Sequence, residues 1–72
     1  MKLILVIALL ASLEGWVVRV INEDEMVIEN HTSMSMICYV YYYDGDFKKL
    51  GVSAYSESRP FSREGLESVE CF

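Results

Sequence analysis

A chain of 72 residues can form one small domain, and a formal net charge of −5 disfavours nucleic acid as its partner. The basic residues do not cluster, since Lys48-Lys49 is the only adjacent basic pair. A domain near this size buries only about 60% of the surface of its unfolded chain, so we expect added stabilisation from a disulfide, a partner subunit or further sequence.

The N-terminus has the arrangement of a cleavable signal peptide. A single lysine is followed by an unbroken apolar run at 3–11 and by small and polar residues at 12–15. A helix that crosses a bilayer needs about 20 residues, so we predict no transmembrane span. We predict a signal helix over residues 1–15, secretion, and an all-β domain over residues 16–72. The alternative for the apolar run is a buried strand.

Two short strands and a loop are predicted next. Residues 16–21 are rich in β-branched and aromatic side chains, which suit a pleated surface, and a polar turn separates them from a second strand at 26–29. Asn30-His31-Thr32 is an acceptor triplet for N-glycosylation, and in a secreted chain it predicts a surface loop with a glycan on Asn30. We expect His31 to be a solvated loop residue without an acidic partner, not a catalytic one.

A long strand that starts at Met34 and ends at Tyr43 carries most of the candidate site. Alternate positions place an apolar series on one face and mainly tyrosine on the other. The tyrosine face is either cover over a sheet or a binding surface, since tyrosine combines apolar area with a hydroxyl group. The candidate ligand-binding residues of this strand are Tyr39, Tyr41, Tyr42 and Tyr43.

The turn after this strand is predicted to be a three-residue hairpin loop, 43–45. This loop sets Met36 opposite Val52 and gathers the aliphatic residues of both strands on one face, with Gly45 at a left-handed bulge position. Asp44-Gly45-Asp46 also matches part of a calcium loop, but the later ligands of such a loop are absent, so turn chemistry is favoured.

The C-terminal part is predicted to contain a loop at 55–65 and a fifth strand at 66–72, with Leu66 and Val69 on opposite faces. Cys38 and Cys71 make an even count in a secreted chain and indicate one disulfide, although both also suit small buried positions. Two cysteines and one histidine lack the paired spacing of zinc sites, so we predict no metal and no cofactor.

These elements predict an all-β fold of antiparallel strands, a small or partial β-sandwich that follows the signal helix. Five strands in an open sheet would leave exposed edges, which folded proteins normally cover. We expect either another subunit at the edges, in a homo-oligomer, or a longer β-sandwich of which this chain is the first part.

Several landmarks follow one another along the chain: Trp16-Val17-Val18, Ile21-Asn22, Ile28-Glu29-Asn30, Tyr42-Tyr43-Asp44-Gly45-Asp46, Val52-Ser53-Ala54, a loop with Pro60 and Gly65, and Cys71. Their order resembles the N-terminal half of the aegerolysins, small β-sandwich proteins that bind membrane lipids. The resemblance covers residues 16–72 and implies that Trp16 takes part in lipid headgroup recognition. The sequence departs from the family near Cys38, where a second tryptophan is expected.

The function predicted from the sequence is that of a secreted β-sandwich binding module that recognises membrane lipid or glycan through aromatic residues. The alternative is a secreted structural or protein-interaction module that oligomerises through strand edges or its tyrosine-rich face. Enzymatic activity is not predicted, because the only histidine lies in the glycosylation triplet and no spacing distinguishes a pair of carboxylates.

Overall fold

A computed structural model describes residues 15–72, so the predicted signal helix lies outside the described residues except for Gly15. The described chain is all-β, as predicted, and within it no helix is long and apolar enough to cross a membrane. Its six strands are β1 (Trp16–Val20), β2 (Glu25–Asn30), β3 (Met36–Tyr42), β4 (Phe47–Val52), β5 (Phe61–Ser62) and β6 (Leu66–Cys71).

The strands form two antiparallel three-stranded sheets. Sheet A has the order β1-β2-β5, and sheet B has the order β4-β3-β6. The prediction of an uninterrupted loop at 55–65 is wrong, because Phe61 of β5 pairs with Met26 of β2. The Phe61 side chain is 1% exposed, so its burial in the core fixes a strand of two residues that is too short to show periodicity.

The hairpin between β3 and β4 has the predicted register and loop. Met36 lies opposite Val52, and Cys38 lies opposite Leu50. The Gly45 amide donates to the Tyr42 carbonyl oxygen at 3.0 Å, and Gly45 has a φ of 92°, a left-handed conformation that glycine adopts without steric cost. The three-residue loop is therefore confirmed.

Strand β6 contains an irregularity that the sequence did not reveal. Ser68 pairs with Tyr41 but Leu66 pairs with Tyr42, so Glu67 is an additional residue in the strand. A bulge of this kind shifts the alternation of side chains by one position. Leu66 and Val69 consequently both face the core, which corrects the prediction that they lie on opposite faces.

One hydrophobic core lies between the two sheets and draws side chains from all six strands. The Tyr42 hydroxyl connects the sheets directly by donating to the carbonyl oxygen of Ser62 in β5 at 2.8 Å. Burial raises the pKa of this hydroxyl, and the carboxylates of Asp46 and Asp44 raise it further. The buried core residues are Trp16, Val18, Met26, Ile28, Cys38, Val40, Tyr42, Val52, Phe61, Leu66 and Val69.

The predicted disulfide joins Cys38 of β3 to Cys71 of β6. Ile37 and Phe72 exchange both backbone hydrogen bonds, so the neighbouring Cys38–Cys71 pair is one without hydrogen bonds. Side chains at such positions lie closer together than at hydrogen-bonded pairs, and the two Cα atoms are 4.0 Å apart. The strand register thus accounts for the pairing.

Candidate functional site

An exposed cluster of aromatic rings covers the outer side of sheet B. It consists of Tyr39, Tyr41, Phe47 and Phe72, which we call the aromatic face. Tyr39 is at its centre, with ring centroids 6.1 Å from Phe72 and 6.4 Å from both Tyr41 and Phe47. The rings point away from the core because the intervening residues of β3 point into it.

The phenylalanines are the most accessible part of this surface. Phe47 is 56% exposed and Phe72 is 76% exposed, whereas Tyr39 and Tyr41 are half-buried between them. Ile37, 45% exposed, extends the apolar area along β3. Contiguous exposed apolar surface of this kind is typical of protein or membrane contact sites.

The structure separates the five aromatic residues predicted to bind a ligand. Tyr39 and Tyr41 lie together on the aromatic face, and Tyr43 is exposed in the hairpin loop. Tyr42 and Trp16 instead lie in the core. Tyr42 could have been excluded by its even position in the strand, which it shares with the apolar series.

Phe47 and Phe72 belong to the site although the sequence analysis did not select them. The signal for Phe47 was present, since the predicted loop sets it opposite Tyr41, as the structure shows. Phe72 was not selected because uninterrupted alternation would place it on the same side of β6 as Leu66, whereas the additional residue Glu67 puts Leu66 in the core and leaves Phe72 on the outer side. The outward orientation of Phe72 follows from alternation with its neighbour Cys71, which is bonded to the core residue Cys38.

Trp16 is 6% exposed, and its indole Nε1 is buried without a hydrogen-bond partner among the described residues. We expect Trp16→Ala to cost about 3–5 kcal/mol of unfolding free energy, because it leaves a large cavity. Trp16→Phe should cost under about 1.5 kcal/mol, because it keeps an aromatic ring and removes the unpaired donor. Urea denaturation checks both values. A headgroup-binding role for Trp16 predicts instead that Trp16→Phe abolishes vesicle binding at unchanged stability.

Asn30 corrects the prediction of a surface residue. It is 2% exposed, and its Nδ2 donates to the carbonyl oxygens of Met34 at 2.8 Å and of Val52 and Ser53 at 3.2 Å. Its Oδ1 accepts hydrogen bonds from the Thr32 amide and hydroxyl. A glycan on Nδ2 would displace hydrogen bonds that this nitrogen donates, so the triplet has a structural role in the folded domain.

A second cluster of side chains, this one polar, lies on the outer side of sheet A. The Arg19 guanidinium of β1 contacts the carboxylate of Glu29 in β2. It also contacts the carboxylate of Glu57, which lies between β4 and β5 in the chain and pairs with Glu29 across an isolated bridge. Glu29 also lies 3.1 Å from the Nε2 atom of His31. His31 is exposed as predicted, but the prediction that it lacks an acidic partner is wrong, because alternate residues of an extended chain share one side.

This polar cluster gives the protein an acid-sensitive contact. The hydrogen bond with His31 lowers the pKa of the Glu29 carboxyl, and the hydrogen bond with Arg19 lowers it further. A lowered pKa in the folded state adds stability that is present above the ordinary value and is lost as the pH falls through the lowered one. Because the cluster is largely solvated, we expect a small effect.

We therefore expect Glu29→Gln to lower the urea midpoint slightly at pH 7 and to have less effect at pH 3, where wild type has lost part of the same contribution. The matched control is the exposed residue Glu64, whose conversion to glutamine should shift the midpoint equally little at both pH values. An effect of Glu29→Gln that grows on acidification would contradict the assignment.

Among residues 15–72 no group of histidine, cysteine, aspartate or glutamate side chains is arranged to hold a metal ion. No protein-family model, curated protein or solved structure matches this chain. The fold and the candidate site define the class to which the described domain belongs, a disulfide-linked all-β domain of two three-stranded sheets with an exposed aromatic face.

Proposed function

We propose that this protein is a secreted interaction module, built as a small β-sandwich, that oligomerises through its aromatic face. The observation that supports this most strongly is the outward-facing cluster of Tyr39, Tyr41, Phe47 and Phe72 on sheet B. Aromatic residues are enriched in the contact surfaces of proteins, where rigid rings bury large apolar areas at little cost in conformational entropy.

The composition of the face favours a protein partner over the lipid or glycan predicted from the sequence. Two of the five predicted ligand-binding aromatics, Trp16 and Tyr42, are buried in the core. Within the aromatic face, Phe47 and Phe72 are the most accessible rings, and they have no hydroxyl group to donate to a sugar or a headgroup. The net charge of −5 opposes approach to anionic headgroups. The resemblance to aegerolysins remains a prediction.

Secretion is part of the proposal. The disulfide between Cys38 and Cys71 supports it, since disulfides persist mainly in oxidising compartments, and the apolar leader predicted over residues 1–15 adds support from the sequence. Glycosylation of Asn30 is not part of the proposal, because its amide nitrogen is engaged inside the domain.

Sedimentation velocity across a dilution series tests the proposed function. We expect concentration-dependent association of the wild type, and Phe47→Ser should weaken it at least about tenfold, since truncation of an aromatic anchor commonly costs that much. The matched control is Tyr55→Asn. Tyr55 is 73% exposed and lies outside the aromatic face, and asparagine tolerates its φ of 55°.

Flotation with phosphatidylcholine–sphingomyelin vesicles separates the proposal from the lipid function. We expect the wild type to remain in the unbound fraction. A wild type that stays monomeric at every concentration contradicts the proposal, and a monomer that floats in a Phe47-dependent manner supports lipid recognition in its place.

A further inference from the structure

The outer side of sheet B is a grid of three rows and three strands. Each row has one residue of β3 between its partners on β4 and β6. The central row is Lys49, Tyr39 and Glu70, so opposite charges stand on the two sides of the central ring. The other rows are Phe47, Tyr41 and Ser68, and Gly51, Ile37 and Phe72.

A second copy of the protein can pack its aromatic face against this one in two ways. Each is related by a two-fold axis that lies in the plane between the two sheets. An axis that runs across the strands places Lys49 on Lys49 of the second copy and Glu70 on Glu70, which brings like charges together. An axis that runs along β3 exchanges the outer strands, so that Lys49 of each copy faces Glu70 of the other. Juxtaposed like charges oppose association, so the charges favour the second axis.

We propose that this protein forms a closed two-fold dimer in which the aromatic faces pack together about an axis close to β3, with Lys49 of each copy opposite Glu70 of the other. The inference rests on the proposed function and specifies its partner as a second copy in one orientation. Contact about a two-fold axis uses the same patch on both copies and therefore closes at two. Face-to-face sheets with aligned strands cross at about 30°, so each β3 would lie about 15° from the axis.

The shape of the grid allows this packing. In the chosen orientation Phe72 of one copy lies over Gly51 of the other, and Phe47 lies over Ser68, so each large ring meets a small residue. Gly51 leaves open space on its outer side, since a Cβ atom placed there would have no neighbour within 4 Å. Tyr39 of each copy meets its counterpart near the axis.

The size of the grid predicts a reversible dimer. Strand and residue spacings give an area of about 10 Å by about 14 Å between its outermost Cα positions. A contact of this size lies at the low end of the range of buried areas in protein interfaces, where association is weak. We therefore expect dissociation constants in the micromolar range, detectable in a dilution series but not at nanomolar concentration.

Charge variants test the orientation. Lys49→Glu gives a face with two acidic positions, and Glu70→Lys gives a face with two basic positions. We expect each single variant to weaken self-association about tenfold, because each faces like charge in its own dimer. An equimolar mixture of the two should associate as tightly as wild type, within about threefold, as should the double variant Lys49→Glu/Glu70→Lys.

Both positions are exposed, so the variants should keep the fold, which circular dichroism and an intact disulfide verify. Single variants that dimerise as well as wild type would overturn the inferred axis, whereas the effect of Phe47→Ser would still support the proposed function. If the wild type does not associate at all, both proposals fail.

Discussion

Replacement of Asn30 by aspartate is expected to destabilise the domain more than any other single change of similar size. Its Nδ2 donates to three carbonyl oxygens that converge from the loop after β2 and from the end of β4. A carboxylate in this position has no hydrogen to donate and would face those three acceptors without solvent. We expect a loss of about 3–5 kcal/mol at pH 7, because an unpaired charge would be buried.

The pH dependence of this loss identifies its cause. The folded domain would hold the introduced aspartic acid in its protonated form, so its pKa would lie above that of the unfolded chain. The penalty should therefore be smaller below the unfolded pKa and should grow as the pH rises. Asn30→Ala should cost about 2–4 kcal/mol without this pH dependence, because it leaves buried carbonyl and amide groups unsatisfied.

Asn22 provides the matched control. Its Oδ1 accepts hydrogen bonds from the amides of Asp24 and Glu25 in an exposed turn, and an aspartate keeps that acceptor. The substitution removes only a solvated hydrogen bond of 3.3 Å that its Nδ2 donates to the Glu25 carboxylate. Asn22→Asp should change the unfolding free energy by less than about 0.5 kcal/mol. Equal effects at positions 22 and 30 in urea denaturation would contradict the buried role of Asn30.

Loss of the disulfide is the second change with a large expected effect. The Cys38–Cys71 bond has a sequence separation of 33 residues, and a cross-link of that length stabilises a fold by about 3–4 kcal/mol through restriction of the unfolded chain. A single small core supplies little reserve at this chain length. We therefore expect the Cys38→Ala/Cys71→Ala variant to be largely unfolded at 37 °C.

Reduction of the wild type is the control for packing. Cys38 is fully buried, so alanine also removes core volume, whereas reduction breaks the bond and keeps both sulfur atoms. Reduced wild type should lose most of the stability that the double variant loses. A double variant within about 1 kcal/mol of the oxidised wild type would show that the strand ladder alone holds β6.

Some of this architecture was predictable because the determining residues are close in sequence. The parity of apolar positions around Asp44 and Gly45 sets the β3–β4 register, and Gly45 supplies the left-handed conformation that the loop requires. The disulfide was predictable as a pairing because two cysteines allow only one intramolecular connection. Local pattern was therefore sufficient for the β3–β4 hairpin.

Other features depend on contacts between distant segments and left no local signal. Asn30 belongs to a triplet that predicts a glycan. It is a buried donor because the fold places the carbonyl oxygens of Val52 and Ser53 within hydrogen-bond distance of its side chain. The additional residue Glu67 is one exposed position in β6, yet it determines that Leu66 and Val69 share the core. The alternation of apolar and polar residues along a strand does not predict where a single extra residue is inserted.

Only part of the candidate site was predictable, because the rest also depends on contacts between distant segments. Tyr39 and Tyr41 follow from alternation within one strand, and Phe47 follows from the hairpin register. Trp16 was assigned to ligand binding through a resemblance, whereas the structure shows an indole enclosed by both sheets. Strand β1 has apolar residues on both of its faces, so its own sequence does not reveal which face the second sheet covers.

A nuclear magnetic resonance dilution series tests most directly the claim that the aromatic face is the contact surface. The backbone amide resonances of Tyr39, Tyr41, Phe47 and Phe72 should shift with protein concentration, and those of Val17 and Arg19 on sheet A should not. Shifts centred on Val17 and Arg19, or spectra that do not change with concentration, would contradict the account.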